Sequence, residues 1–196
     1  MGKNTDIALD IAFRLKLGGA IRFARALEPY HLMWLETETF DVQALKTVRM
    51  STTTPIVHGE SLYDLSGYRP FLAAHSQDVI MIDLAWNGIT QGKKIAALAQ
   101  AYDTPVSPHN CHSPLQTVIA SHFAISTSNN YILEIDVDDV PWRDDILTYP
   151  PEIDGGYLTV SDRPGWGTEP IMEVVNAHRG WNSFKKPVFK KDQKSK

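Results

Sequence analysis

Six short apolar runs, each closed by a polar residue, recur along the chain at nearly even intervals: Ile7–Asp10, Met33–Glu36, Ile56–Glu60, Val79–Asp83, Pro105–His109 and Tyr131–Glu134. The closing residues follow one another at spacings of 26, 24, 23, 26 and 25. Continuous short apolar runs suit strands buried on both faces of a parallel sheet, and an even period of this size marks stacked supersecondary units. Between the runs lie apolar residues at helical spacing: Ile21, Ala24 and Leu27; Val42, Leu45 and Val48; Ile95, Leu98, Ala99 and Tyr102; Leu115, Val118, Ile119 and Phe123. The stretch from Tyr68 to His75 carries the weakest helical signal, because Pro70 is tolerated best in a first turn.

Strand and helix in alternation predict right-handed βαβ units around a parallel sheet, either doubly wound or closed into a barrel. The closing residues favour the barrel. In a barrel the carboxyl ends of all strands open on one face, where Asp10, Glu36, Glu60, Asp83, His109 and Glu134 would converge. A nucleotide-binding open sheet lacks support, since the chain has neither a GxGxxG nor a GxxxxGK[ST] loop. The predicted fold class is therefore α/β, a TIM-type (β/α) barrel that is incomplete, with about six βα units over residues 1–180.

An acidic residue after an apolar run is by itself no more than a strand end or a helix cap. Three on consecutive strands are different, because Asp10, Glu36 and Glu60 in one mouth would raise each other's pKa unless a cation intervenes. All-oxygen donors select a hard ion, and few protein ligands with open positions suit Mg²⁺. The next two strands end in Asp83 and His109, a pairing in which the carboxylate fixes the imidazole tautomer and makes a general acid or base. His58, His75, His122 and His178 are read as structural or surface residues. The stretch from His109 to His112 also holds Cys111, but no second cluster accompanies it and a zinc site is not expected.

Composition changes this picture little. With 43% hydrophobic and 21% charged residues over 196 positions, the chain can bury a sizeable core. A net charge of -4 offers no general attraction to nucleic acid or anionic membranes. The single cysteine excludes an intrachain disulfide framework. No apolar stretch reaches the roughly 18 residues of a membrane span. The start lacks the pattern of a signal peptide, so a cytoplasmic protein is expected. The lysine-rich residues 181–196 read as a solvated, disordered tail.

The ordered set of closing residues, with the segments HGESLY (58–63), DVIMIDLAWNGITQGKKIAALAQAYDTPVSPHN (78–110) and RPGWG (163–167), resembles the barrel domain of the mandelate racemase and muconate lactonizing enzyme group of the enolase superfamily. The resemblance runs from Asp6 to Glu169 and looks closest to acid-sugar dehydratases of the galactonate type. It implies that Asp10, Glu36 and Glu60 hold Mg²⁺, that Asp83 and His109 are the acid–base pair, and that Glu134 hydrogen-bonds the substrate. The implied reaction removes the proton α to a carboxylate and expels the β-hydroxyl of a small sugar acid, giving a 2-keto-3-deoxy acid; a racemase or cycloisomerase of the same superfamily, or a non-catalytic fragment needing a partner chain, is the alternative. The loop 163–167 would follow the last strand and help close the barrel.

The chain departs from this pattern at Glu36-Thr37-Glu38, where the family commonly has Glu-Glu-Pro, and at Ala12, where sugar-acid dehydratases often carry a polar residue. The family's amino-terminal capping domain and first two barrel strands, the second bearing a catalytic lysine, have no counterpart before Asp10, and Lys3 and Lys16 are poor substitutes by position. A fragment is therefore expected, poorly active alone, to be completed by an amino-terminal piece or a homo-oligomer.

Overall fold

The computed structural model of the protein describes residues 5–136 and 140–178. Five strands form one parallel sheet in sequential order. They are β1 (Ala8–Asp10), β2 (Trp34–Glu36), β3 (Ile56–His58), β4 (Val79–Asp83) and β5 (Val106–His109). The connections are helices α1 (Leu17–Leu27), α2 (Val42–Arg49), α3 (Asp64–Ala74) and α4 (Leu84–Gln100), and α5 (Pro114–Ile125) follows β5. Every strand lies beside its sequence neighbour, as the alternating pattern predicts for a barrel.

The sheet is curled rather than flat. Strands two apart in a flat sheet would be separated by about 9.5 Å. Yet His109 at the end of β5 reaches Glu60, just past β3, with its Nε2 3.0 Å from Oε2. This is a curled half-barrel with helices on its outer side.

Burial explains why the sequence adopts it. Leu35, Ile56, Ile80, Ile82 and Val106 from the strands form one core with Ala24, Leu45, Leu72, Ile95, Ala99 and Phe123 from the helices. The opposite face of the central strands holds a smaller cluster of Trp34, Val57, Val79 and Met81. Side-chain caps open α2 and α5. The Asp41 carboxylate accepts from the Gln43 and Ala44 N–H groups, and Ser113 Oγ accepts from Gln116 N–H.

Three features differ from the sequence-based expectation. Pro70 lies inside α3 rather than in its first turn, and burial of Tyr68, Phe71 and Leu72 holds that helix together. The sixth run, Tyr131–Glu134, follows β5 in the parallel sense without a regular ladder. Its link is one bridge between Val106 and Asn130, supported by Tyr131 N–H donating to Val106 O at 2.8 Å and Ser107 Oγ to Ile132 O at 2.6 Å. After it come an antiparallel hairpin, β6 (Glu152–Asp154) and β7 (Tyr157–Thr159), and a short helix α6 (Met172–Ala177). The Gly155–Gly156 turn between β6 and β7, with both residues at positive φ, is the hairpin signal that the 25-residue period obscures.

The 163–167 loop rests against α5, where the Trp166 ring meets His122 with centroids 5.5 Å apart. The expected tail at 181–196, and Lys3, lie outside the described residues. Among the described residues no helix is long and apolar enough to cross a membrane.

One backbone position between β3 and α3 admits glycine alone. Gly59 sits at φ +127, and a Cβ there would stand 2.8 Å from Met81 O and 3.2 Å from the Tyr68 ring. Replacement Gly59→Ala is expected to lower stability by about 1–3 kcal/mol. A urea unfolding midpoint unchanged from wild type would show that the turn relaxes freely.

Candidate active site

The polar residues that close the strands gather at the carboxyl ends of the sheet, and they divide into two electrostatically different halves. On one side Asp10 and Glu36 are register partners across β1 and β2. Glu36 is 4% exposed, and its Oε1 is buried without a hydrogen-bond partner. Burial, reinforced by the charges of Asp10, Glu60, Glu134 and Glu38, pushes its carboxyl up from 4.5 to about 9. Burial also raises Asp10, opposed by the Ala12 N–H, which donates to Oδ1 at 2.6 Å, and assisted by Glu60 and Glu38.

On the other side the charges are paired. Asp83 ends β4, is fully buried, and uses both of its oxygens. Oδ1 caps α4, accepting from Ala85 and Trp86 N–H at 2.7 and 3.0 Å. Oδ2 lies 2.8 Å from His109 Nδ1 and 2.8 Å from His112 Nε2. Burial alone would raise Asp83, but the two imidazoles and the Trp86 N–H outweigh it and hold the carboxyl below its usual value.

His109 faces carboxylates through both ring nitrogens. Its Nε2 lies 3.0 Å from Glu60 Oε2 and 3.9 Å from Glu134 Oε2. Burial opposes protonation, yet the hydrogen bonds to Asp83 and Glu60 carry the imidazole up to about 11. At neutral pH this arrangement is therefore an imidazolium clasped between two carboxylates. Glu134 also fixes the turn after β5, since its Oε2 accepts from Asn110 N–H at 2.8 Å.

All six predicted site residues thus share one mouth, but Asp10, Glu36 and Glu60 do not converge tightly. Among the described residues, the group of three metal-type donors within 4.8 Å of one another is His109, Cys111 and His112. The sequence argued against that cluster, and the chain brings it together. Both imidazoles are engaged by Asp83, and Cys111 Sγ lies 3.4 Å from His109 Nε2. The three carboxylates are held apart by rival partners, Ala12 N–H for Asp10 and His109 for Glu60.

Even so, the donor set fits a hard divalent cation. An orphaned buried carboxylate oxygen on Glu36, with two like-charged neighbours, is a deficit that such an ion would fill.

Three features escape a reading of strand ends. His112 is a second imidazole on Asp83, placed there by the turn after β5. Glu38 forms a largely buried cluster with His58 and Ser61 at the ends of β2 and β3. An aromatic rim also runs outward from the Asp83–His109 pair: His112 meets Trp86 and Trp86 meets Tyr63, with centroids 6.0 and 6.1 Å apart, and both Trp86 and Tyr63 are exposed.

A sequence profile of the family described as Enolase C-terminal domain-like matches residues 1–174. A D-xylonate dehydratase of Haloferax volcanii is 35% identical over 183 residues, covering 91% of this chain and 44% of that protein. A D-galactonate dehydratase of Variovorax paradoxus is 29% identical over 200 residues, covering 94% and 51%. A structure from Burkholderia xenovorans, provisionally named an L-alanine-DL-glutamate epimerase and bound to magnesium and fumarate, is similar with a TM-score of 0.88 and 39% identity. It is covered to 44% by 90% of this chain. A mandelate racemase/muconate lactonizing enzyme-like protein from Rubrobacter xylanophilus gives a TM-score of 0.86 and 38% identity, covering 91% of this chain and 46% of that one. The chain spans about half the length of the proteins it matches.

The unpaired half of the mouth makes stability depend on pH. The folded chain holds the Glu36 proton that the unfolded chain releases above 4.5, so the contribution of Glu36 to stability is fully present below that value and is lost as pH rises toward about 9. His109 acts in the same direction from 6.5 up to about 11. Urea unfolding in chelator is expected to show this decline, and Glu36→Gln should flatten it most between 4.5 and 6.5, where His109 does not yet contribute. An equal slope in both proteins would remove Glu36 as its source.

Proposed function

The chain belongs to the Enolase C-terminal domain-like family, and on that premise we propose that it is the barrel portion of a Mg²⁺-dependent acid-sugar dehydratase. The observation that carries this reading is the split mouth: an orphaned Glu36 carboxylate beside Asp10 and Glu60, opposite an imidazolium oriented by Asp83. The dehydratase names of relatives at 35% and 29% identity support it.

Asp10, Glu36 and Glu60 would hold the ion. When bound, Mg²⁺ supplies positive charge to offset the negative charge that builds on a substrate carboxylate as its α-proton leaves. Everything else falls to the chain. Asp83 keeps a proton on His109 Nδ1 and directs Nε2 into the mouth. Were Glu60 to hold the ion, His109 would lose one of the two carboxylates that raise its pKa, and Nε2 would take the α-proton. The proton on Nε2 then passes to the β-hydroxyl, which leaves as water while the C–H electron pair becomes the new double bond. The resulting enol tautomerises to a 2-keto-3-deoxy acid. Glu134 would accept a hydrogen bond from a substrate hydroxyl, and the exposed rim of Tyr63 and Trp86 would pack against C–H faces of the substrate chain.

A racemase or epimerase is the second reading, favoured by the 39% identity to the structure provisionally named an epimerase. It would use the same ligands and proton abstraction but would need a second base on the opposite face of the substrate.

The test is incubation with Mg²⁺ and a panel of aldonic acids in deuterated water, following both 2-keto-3-deoxy product and α-deuterium. Dehydration with keto-acid formation is expected, slow in the chain alone, and deuterium incorporation without water loss would instead select the epimerase reading. His109→Asn should abolish product while leaving Mg²⁺ affinity near wild type, because the imidazole is no ligand. Loss of the ion in that variant would place His109 in the metal's coordination and overturn its role here.

A further inference from the structure

Glu38 lies two residues past the proposed ligand Glu36, is 2% exposed, and stands where the family commonly has proline. Its position is unusual because it touches all three strand ends that carry the proposed ligands. Its backbone N–H donates to Ala12 O at 3.0 Å, in the turn that follows Asp10. Its Oε1 accepts from Gly59 N–H at 2.8 Å and lies 3.0 Å from His58 Nδ1. Its Oε2 accepts from Ser61 Oγ. Gly59 and Ser61 are the two neighbours of Glu60, so one carboxylate grips the backbone before the ligand and the side chain after it.

The grip is itself braced. Tyr68 donates its hydroxyl hydrogen to Gly59 O at 2.9 Å, and Thr37 N–H donates to Val57 O at 3.1 Å, holding β2 against β3. Burial of an ionised carboxylate is costly unless it is paired and hydrogen-bonded, and here both oxygens are used. A buried anion retained in this way, with both oxygens taken by the chain's own groups, contributes arrangement rather than contact with substrate.

We propose that Glu38 is a positioning residue for the metal site, locking the turn that presents Glu60 and tying it to the strand ends of Asp10 and Glu36. The proposal rests on the reading of Asp10, Glu36 and Glu60 as ligands. Groups that orient ligands from behind typically cost 10- to 100-fold in affinity when removed.

The test titrates the 196-residue chain with Mn²⁺, reading the free ion by its EPR signal, alongside urea unfolding of each variant. Glu38→Ala is expected to weaken Mn²⁺ binding by about 10- to 100-fold. Glu38→Gln should recover a large part of the loss, because its amide oxygen still accepts from Gly59 N–H. Should Glu38→Ala fail to fold, Ser61→Ala removes one arm of the grip and should weaken binding in a folded chain. Equal affinity in wild type and Ser61→Ala or Glu38→Ala would overturn the inference while leaving the ligand reading intact. A Glu38→Gln variant as weak as Glu38→Ala would overturn it too, by assigning the effect to lost charge. Failure of wild type to take Mn²⁺ at all would overturn the ligand reading and this inference together.

Discussion

The Asp83 carboxylate is the point at which fold and chemistry cannot be separated. Buried without solvent, it must find partners for both oxygens or cost several kcal/mol. One oxygen closes the first turn of α4, and the other gathers two imidazoles, His109 at the end of β5 and His112 from the turn after it. The start of a helix, the pairing of β4 with β5, and the aim of His109 are therefore one arrangement. Asp83 and His109 are register partners, so a slip of one residue between those strands would break it.

The consequence for the mouth is an uneven distribution of satisfaction. Around Asp83 the polar groups are saturated and the geometry is stiff. Around Glu36 they are not, and the like charges of Asp10, Glu60, Glu134 and Glu38 press on a carboxyl that has nowhere to place its charge. Saturation on one side and deficit on the other would let the proposed site be rigid about proton transfer and still take an ion. The two halves meet at Glu60, which serves His109 in this structure and would serve the cation when one is present.

Much of this was legible before any coordinates. The 25-residue period identified strands and their carboxyl ends, because burial on both faces leaves a short apolar run with no competing pattern. It located all six mouth residues. It did not disclose which of them would be satisfied, since pairing depends on the curl of the sheet, and curl leaves no local mark in the chain. Pro70 misled because burial of Tyr68, Phe71 and Leu72 outweighs a propensity read in isolation. Glu38 was visible only as a departure from Glu-Glu-Pro, and its importance came from Gly59 and Ser61, more than twenty positions away. His112 was seen as a weak zinc candidate because the chain order could not show that Asp83 Oδ2 has room for two rings.

Strand β1 pairs with β2 over three residues and has no partner on its other side among the described residues, while Ala8 and Asp10 are exposed. Short edge elements open locally at far lower free energy than the core they border. When β1 frays, Asp10 departs with it, and the proposed three-carboxylate site would become a two-carboxylate one without any global unfolding. The measured affinity for an ion is then the intrinsic one diluted by the fraction of time the edge is closed. Anything that covers β1, whether another strand or another chain, would tighten ion binding at a distance by suppressing an opening motion, with no new ligand supplied.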